Sequence, residues 1–289
     1  MSRMPSAVCK IIFLDVDGTL IDYQAKLPLS AEEAVNKARA HGHRVYICTG
    51  CSKAEIAMRD FRSMELDGMI GANGGYVEDH GKVVMHQALS KAEVKHIVDW
   101  CNARQIGFYL EANSGLYIND YYVTQGPEVM YKYVIGKGKT IDHPESFKQD
   151  AVNDYTLLHG EDLYREDVNK VSFVLRSYQD HLDSIKEFPD LVANTWGGRD
   201  EQALFGDLGP KGITKEHAIH VLLDYLHEDA SETIAFGDAK IDLSMFACCQ
   251  YNVAMGNGGL EIKAAADYIT DDVNHDGLYK AFEYLHLFD

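Results

Sequence analysis

Long apolar runs are missing from this 289-residue chain. No stretch approaches the ~18 consecutive apolar residues of a membrane helix, which excludes such a span. Positive charge is scarce. Lys and Arg number 27 against 45 Asp and Glu, a formal charge of −18. That balance argues against a nucleic-acid backbone or an anionic membrane as the main partner, though a local site can still attract a small anion. Cysteine is sparse, six residues scattered along the chain, so no disulfide scaffold is expected. Met1 to Lys10 holds no apolar core of a secretion signal, so a soluble, cytoplasmic protein is expected. What is plentiful is hydrophobic material, 46% of the residues. That is enough for a real core in one large domain or two ordinary ones.

Four short apolar runs stand out: Ile11–Leu14, Val45–Cys48, Thr233–Phe236 and Tyr251–Ala254. Ile11–Leu14 is unbroken and the others repeat its pattern; short apolar runs bounded by turn residues suit strands buried on both faces. Each ends in a polar or glycine cluster: Asp15-Val16-Asp17-Gly18-Thr19, Thr49-Gly50, Gly237-Asp238 and Gly256-Asn257-Gly258. Helical signals lie between them. Ser30, Ser52 and Ser90 each read as the start of a capping box, and Ile213–Leu226 carries apolar residues at helical spacing. Strand–helix alternation predicts an α/β fold, a doubly wound parallel sheet whose ligand sits beyond the strand ends. The middle of the chain differs. It is rich in tyrosine (Tyr109, Tyr117, Tyr121, Tyr122, Tyr131, Tyr133) and suggests strands near Phe108–Leu110 and Val171–Leu175 with a helix over Ala92–Ala103. It reads as an inserted α+β domain, residues 85–206, within a core formed by 1–84 and 207–289. Its aromatic stripe is read as core, with a few rings left to line a pocket.

Asp15 and Asp17 stand at i and i+2 in an extended segment, so their side chains point the same way. Paired carboxylates repel each other and any phosphate unless a hard cation sits between them, and Mg2+ suits oxygen ligands of this kind. A surface turn is the competing reading. Asp238 follows another buried strand and could complete the metal site, with Asp242 one helical turn on. The alternative there is a helix start decorated with acids. Thr49 and Gly50 offer a hydroxyl and backbone N–H groups to phosphate oxygens. Lys211 or Lys215, at a helix start, could neutralise a phosphoryl group.

Together these segments resemble the motif set of the haloacid dehalogenase superfamily of phosphohydrolases, most closely its Cof-type branch. The resemblance rests on Ile12-Phe13-Leu14-Asp15-Val16-Asp17-Gly18-Thr19-Leu20, Cys48-Thr49-Gly50, Ala72-Asn73-Gly74-Gly75, Gly212-Ile213-Thr214-Lys215, Val253–Gly258 and Asp272–Leu278. It covers the core; over the middle domain only position and size agree. It implies a Mg2+-dependent phosphatase of small phosphorylated metabolites, sugar phosphates first. Asp15 would be the nucleophile and Asp17 the acid and base. Thr49 and Gly50 would hold the phosphoryl group, and Lys215 rather than Lys211 would offset charge. Mg2+ would bind Asp15, the Asp17 carbonyl and Asp238, with Asp242 in support. Residues 16–48 leave no room for a cap, whereas residues 50–214 hold one that would close over the site and select the leaving group.

Ala239, Ile241 and Cys51 stand where the family commonly has Asn, Asn and Arg. Ala239 and Ile241 are the features that favour a rival reading, a binding or sensing protein on the same fold. A phosphomutase, a dehalogenase and a transport ATPase fit the spacing, the second acidic cluster and the absent spans less well. Cys48-Thr49-Gly50-Cys51 falls on the phosphate turn and is read as thiols rather than zinc ligands. Gly138-Lys139-Thr140 lacks the earlier glycine of a P-loop.

Overall fold

The computed structural model describes residues 9–59, 61, 63–136, 140–152, 156–196 and 203–289. Gly138 and Lys139 of the P-loop-like segment, and most of the N-terminal stretch read for a secretion signal, lie outside them. The chain divides into two compact units. One comprises residues 1–51, 59–86 and 213–289; the other comprises 52–58 and 87–212.

The first unit is built on an eight-stranded sheet. Its order is Tyr268–Ile269, Tyr251–Ala254, Thr233–Gly237, Ile11–Leu14, Arg44–Cys48, Gly68–Gly71, Tyr76–Asp79, Lys82–His86. The first six strands are parallel and the last two antiparallel. All four apolar runs read from the sequence are strands of this sheet. Ile11 to Leu14 are each buried, because alternate side chains enter opposite layers. Ile11 and Phe13 join Ala218, Ile219 and Leu222 of the helix Lys215–Leu226 in one cluster. The helices Leu29–Ala40 and Gly277–Tyr284 pack on each other, and Phe282 stacks near Phe236 of the central strand. Helix Leu29–Ala40 connects the adjacent parallel strands Ile11–Leu14 and Arg44–Cys48, and helix Lys215–Leu226 leads into Thr233–Gly237, the doubly wound α/β pattern expected.

The antiparallel edge hairpin was not anticipated. Its two-residue turn, His80-Gly81, has both φ values positive (47° and 77°), the conformation that matches the twist of a hairpin. Its second strand runs to His86, so the expected boundary at 84/85 cuts through a paired strand. The helix beginning at Leu29 also corrects an expectation. Its N-cap is Pro28, which lends no side-chain hydrogen bond, and Ser30 lies inside the helix. The capping boxes at Ser52 and Ser90 are both formed.

The second unit holds a six-stranded sheet. Its order is Leu191–Thr195, Phe205–Pro210, Val168–Val174, Phe108–Ala112, Leu116–Ile118, Leu157–His159. All its pairs are antiparallel save the last. Helix Lys91–Ala103 buries Val94, Ile97, Val98 and Cys101 against Phe108, Leu110, Phe173 and Leu208. Tyr109 and Tyr122 of the aromatic stripe pack with Phe205 and Trp196 in a second cluster, so these two tyrosine rings are core. Strand Phe205–Pro210 pairs on both sides within this sheet. The unit therefore runs on to residue 212, beyond the 206/207 boundary expected, and it gathers in the short helix Lys53–Ala57 as well.

Candidate active site

Asp15 sits directly after the central strand, its N–H donating to Phe236 O at 3.0 Å on the neighbouring strand. The chain then turns sharply. Leu20 N and Ile21 N both reach Val16 O, and Gly18 N reaches Ile21 O at 2.7 Å. Gly18 has φ +93°, and a Cβ there would run into the Asp238 carboxylate and the Tyr23 ring. Only glycine fits this turn. The loop after Thr233–Gly237 is thereby brought against the first one, and Thr19 Oγ1 donates to Asp238 Oδ1 at 3.3 Å.

Lys215 is the first residue of its helix, which Thr214 caps by accepting from His217 N at 3.0 Å. A cation at this end opposes the helix dipole. Three acceptors offset that. The Lys215 ammonium, 1% exposed, donates to Asp15 Oδ1 at 2.8 Å, Asp242 Oδ1 at 2.7 Å and Cys48 O at 2.7 Å. All three of its protons are thus used. Asp242, fully buried, turns its other oxygen to the N–H groups of Asp238 (3.2 Å) and Ala239 (3.0 Å). It pins the loop that carries Asp238. Lys211 instead is exposed and donates to Pro189 O.

Carboxylate oxygens of Asp15, Asp238 and Asp242 lie within 4.8 Å of one another, and all three residues are buried. The donor set is all oxygen and suits a hard divalent cation. The side chain of Asp17 is not in this cluster. It is 45% exposed and pairs with Arg59 Nη2 at 3.2 Å. Asp242 spends both oxygens on protein donors, which makes it a support for the site more than a direct ligand.

Burial raises the Asp15 carboxyl well above its usual range and Asp242 adds to the effect, while Lys215 opposes it. Burial works against the Lys215 charge, but Asp15 and Asp242 outweigh it and hold the ammonium protonated. Burial also pushes Asp238 up to about 6, resisted by the Tyr23 and Thr19 hydroxyls. The pocket thus holds more negative charge than its one buried lysine balances, a demand that a bound cation meets.

Thr49 is buried, and its hydroxyl accepts from Cys51 N at 3.2 Å. A Cβ on the adjoining Gly50 would lie 2.9 Å from Asn73 Oδ1, so glycine admits the asparagine here. Asn73 has φ 56°, and its side-chain oxygen is buried without a hydrogen-bond partner. Such an atom is costly to leave unpaired and marks a place for a ligand or water. Neither Cys48 nor Cys51 forms a disulfide, and burial holds the Cys48 thiol far above its ordinary value, as expected of an inert core cysteine.

Four residues of this region had no role in the sequence reading: Tyr23, Arg59, Asn73 and Asn257. Tyr23 donates its hydroxyl to Asp238 Oδ2. Asn257 Nδ2 donates to Gly18 O at 2.8 Å and its Oδ1 accepts from Val273 N at 2.9 Å. Asn73 and Asn257 lie in segments that carried the resemblance, which was the available signal. Tyr23 and Arg59 lie in no such pattern.

A family profile of haloacid dehalogenase-like hydrolases matches residues 12–282. The pyridoxal phosphate phosphatase YbhA of Escherichia coli (strain K12) is 26% identical over 96% of this chain and 98% of its own length. The 5-amino-6-(5-phospho-D-ribitylamino)uracil phosphatase YwtE of Bacillus subtilis (strain 168) is also 26% identical, over 93% of this chain and 95% of its own. Among solved structures, the haloacid dehalogenase superfamily phosphatase BT1666 of Bacteroides thetaiotaomicron is 23% identical. It superposes with a TM-score of 0.74 over 99% of this chain and 98% of that one, a likeness of fold. The chain belongs to the Cof-type branch of the haloacid dehalogenase-like hydrolases and is a phosphatase.

Proposed function

We propose that the protein hydrolyses phosphomonoesters of small metabolites, sugar phosphates foremost, by way of a phosphoryl group carried on Asp15. One observation carries this reading. A single buried ammonium, Lys215, ties together acids from two separate strand ends, Asp15 and Asp242. Lys215 holds Asp15 Oδ1, which leaves Oδ2 to form the new bond to phosphorus while the bond to the leaving oxygen breaks. Asp17 gives its proton to that oxygen, then takes one from the water that releases phosphate and frees Asp15. The Thr49 and Gly50 turn holds the transferred oxygens. Mg2+, held by Asp15, the Asp17 carbonyl and Asp238 with Asp242 behind them, would neutralise charge on the acids and the phosphoryl group. The names of the relatives above, a pyridoxal phosphate phosphatase and a 5-amino-6-(5-phospho-D-ribitylamino)uracil phosphatase, support a small phosphorylated metabolite as the substrate.

The test is phosphate release from a panel of sugar phosphates, nucleotides and vitamin phosphates, with Mg2+ and with a chelator. Chelation is expected to lower turnover by roughly 10^3-fold. Tight binding of a phosphorylated metabolite with no Mg2+-stimulated release would favour the sensing protein instead.

A pH dependence follows from Asp238. Its folded-state pKa of about 6 lies above the ordinary carboxylate value, so the fold disfavours its charged form. Its stabilising contribution is complete below about pH 4 and is lost as pH rises through 6. Glu111 in the other unit, pushed by burial to about 8, acts in the same direction at higher pH. The comparison with Asp238→Asn therefore isolates the effect. In chelator, the wild type is expected to lose Tm relative to that variant between pH 4 and 6, and Mg2+ should restore it at neutral pH. A difference in Tm that stays flat with pH would contradict this.

A further inference from the structure

We infer that Arg59 is the positioning residue for the acid and base Asp17, an inference that rests on the phosphatase mechanism above. The four acids at the strand ends are held in different ways. Lys215 fixes Asp15 and Asp242, and Thr19 and Tyr23 fix Asp238. Those three are buried, whereas the Asp17 side chain is 45% exposed. Its carboxylate meets Arg59 Nη2, 3.2 Å from Oδ1 and 3.5 Å from Oδ2. Cys51 Sγ stands 3.9 Å from Oδ2, where a thiol is only a weak donor. The guanidinium is therefore the strong partner that sets the direction of this carboxylate.

The pair is not explained by stability. Asp17 is half open to water and Arg59 keeps 25% of its side chain exposed, and ion pairs so placed contribute little to folding. Its consequence lies in geometry. Proton transfer to a leaving oxygen demands a donor within hydrogen-bond reach at the moment the bond breaks. A half-exposed aspartate with free rotation meets that demand only part of the time. The planar fork of arginine suits the holding of a carboxylate in one orientation. Arg59 also brings a second positive charge to a group of four acids that otherwise shares Lys215.

The test separates orientation from general damage. kcat/KM reports the steps through departure of the leaving group, so it is measured for an alkyl phosphate, glycerol phosphate, and for an aryl one, p-nitrophenyl phosphate. An alkoxide needs the proton of Asp17 far more than a nitrophenolate does. Arg59→Ala is expected to lower kcat/KM for the alkyl ester by ~10–100-fold, with a loss on the aryl ester at least ~10-fold smaller. Arg59→Lys should recover part of the alkyl activity, and the Tm of both variants should match that of the wild type. Equal losses on the two esters, or no loss on either, would overturn the assignment while leaving the phosphatase reading intact. A wild type without Mg2+-dependent turnover of either ester would overturn both.

Discussion

Asp15→Asn is expected to lower Mg2+-dependent phosphate release by at least ~10^4-fold, since the proposed nucleophile is removed. The fold should survive the change. Asp15 lies in a place where burial and the neighbouring Asp242 already work against its charge. An asparagine there keeps an oxygen that can accept from Lys215 and surrenders a charge the site resists. Its Tm in chelator should therefore equal or exceed that of the wild type, while the gain in Tm on adding Mg2+ should shrink. Steady-state phosphate release and thermal unfolding check the two halves. Turnover within tenfold of the wild type would mean that the phosphoryl group never passes through residue 15.

Lys215→Met carries the second large effect, and it falls on folding as well as on turnover. The ammonium satisfies Asp15, Asp242 and Cys48 O at once, at 1% exposure. Its removal leaves two buried carboxylates without a cation. Breaking a buried pair from one side costs about 3–5 kcal/mol, far more than a surface pair contributes. The variant should unfold at clearly lower denaturant concentration than the wild type. A second change, Asp242→Asn, should return part of the loss, because one of the two stranded charges is gone. Activity should not return with it, since the site then lacks its positive group near the transferred phosphoryl. A Lys215→Met protein as stable as the wild type would show that the network around Asp15 is not what holds the strand ends together.

The parts of the fold legible in the sequence were those dictated by local patterns. Ile11–Leu14 and Ile234–Phe236 are apolar throughout because both faces of their sheet are covered, and such strands announce themselves. The strands Tyr76–Asp79 and Lys82–His86 do not. They lie at an edge, Val83 is exposed, and Glu78 and Asp79 interrupt the pattern. Ser52 and Ser90 formed the capping boxes their neighbours imply, while Ser30 lost its place to Pro28, whose fixed φ starts a helix two residues earlier in a way that serine spacing does not reveal. The insert's limits were misplaced because Phe205–Pro210 has strand partners only in three dimensions.

The site divides along the same line. Asp15, Asp17, Thr49, Asp238 and Lys215 follow strand ends or open a helix, so sequence position alone marks them. Asp242 was legible as an acid near the metal, but its task of pinning the Asp238 and Ala239 N–H groups is visible only in the folded loop. Arg59 and Tyr23 reach their partners across 42 and 215 residues of chain. Neither has a spacing rule that could have found it.

A carboxylate of this chain, and no other group, is expected to carry the phosphoryl unit between substrate and water. An acyl phosphate is reduced by borohydride to an alcohol, which turns the modified aspartate into homoserine. The direct measurement is to quench the enzyme during turnover of a sugar phosphate with Mg2+, treat it with borohydride, and read the peptide that contains residue 15 by mass spectrometry. Homoserine is expected at position 15, dependent on both substrate and Mg2+, and none at 17, 238 or 242. Phosphate release with aspartate intact at 15 in every sample quenched during turnover, or homoserine at another position, would contradict it.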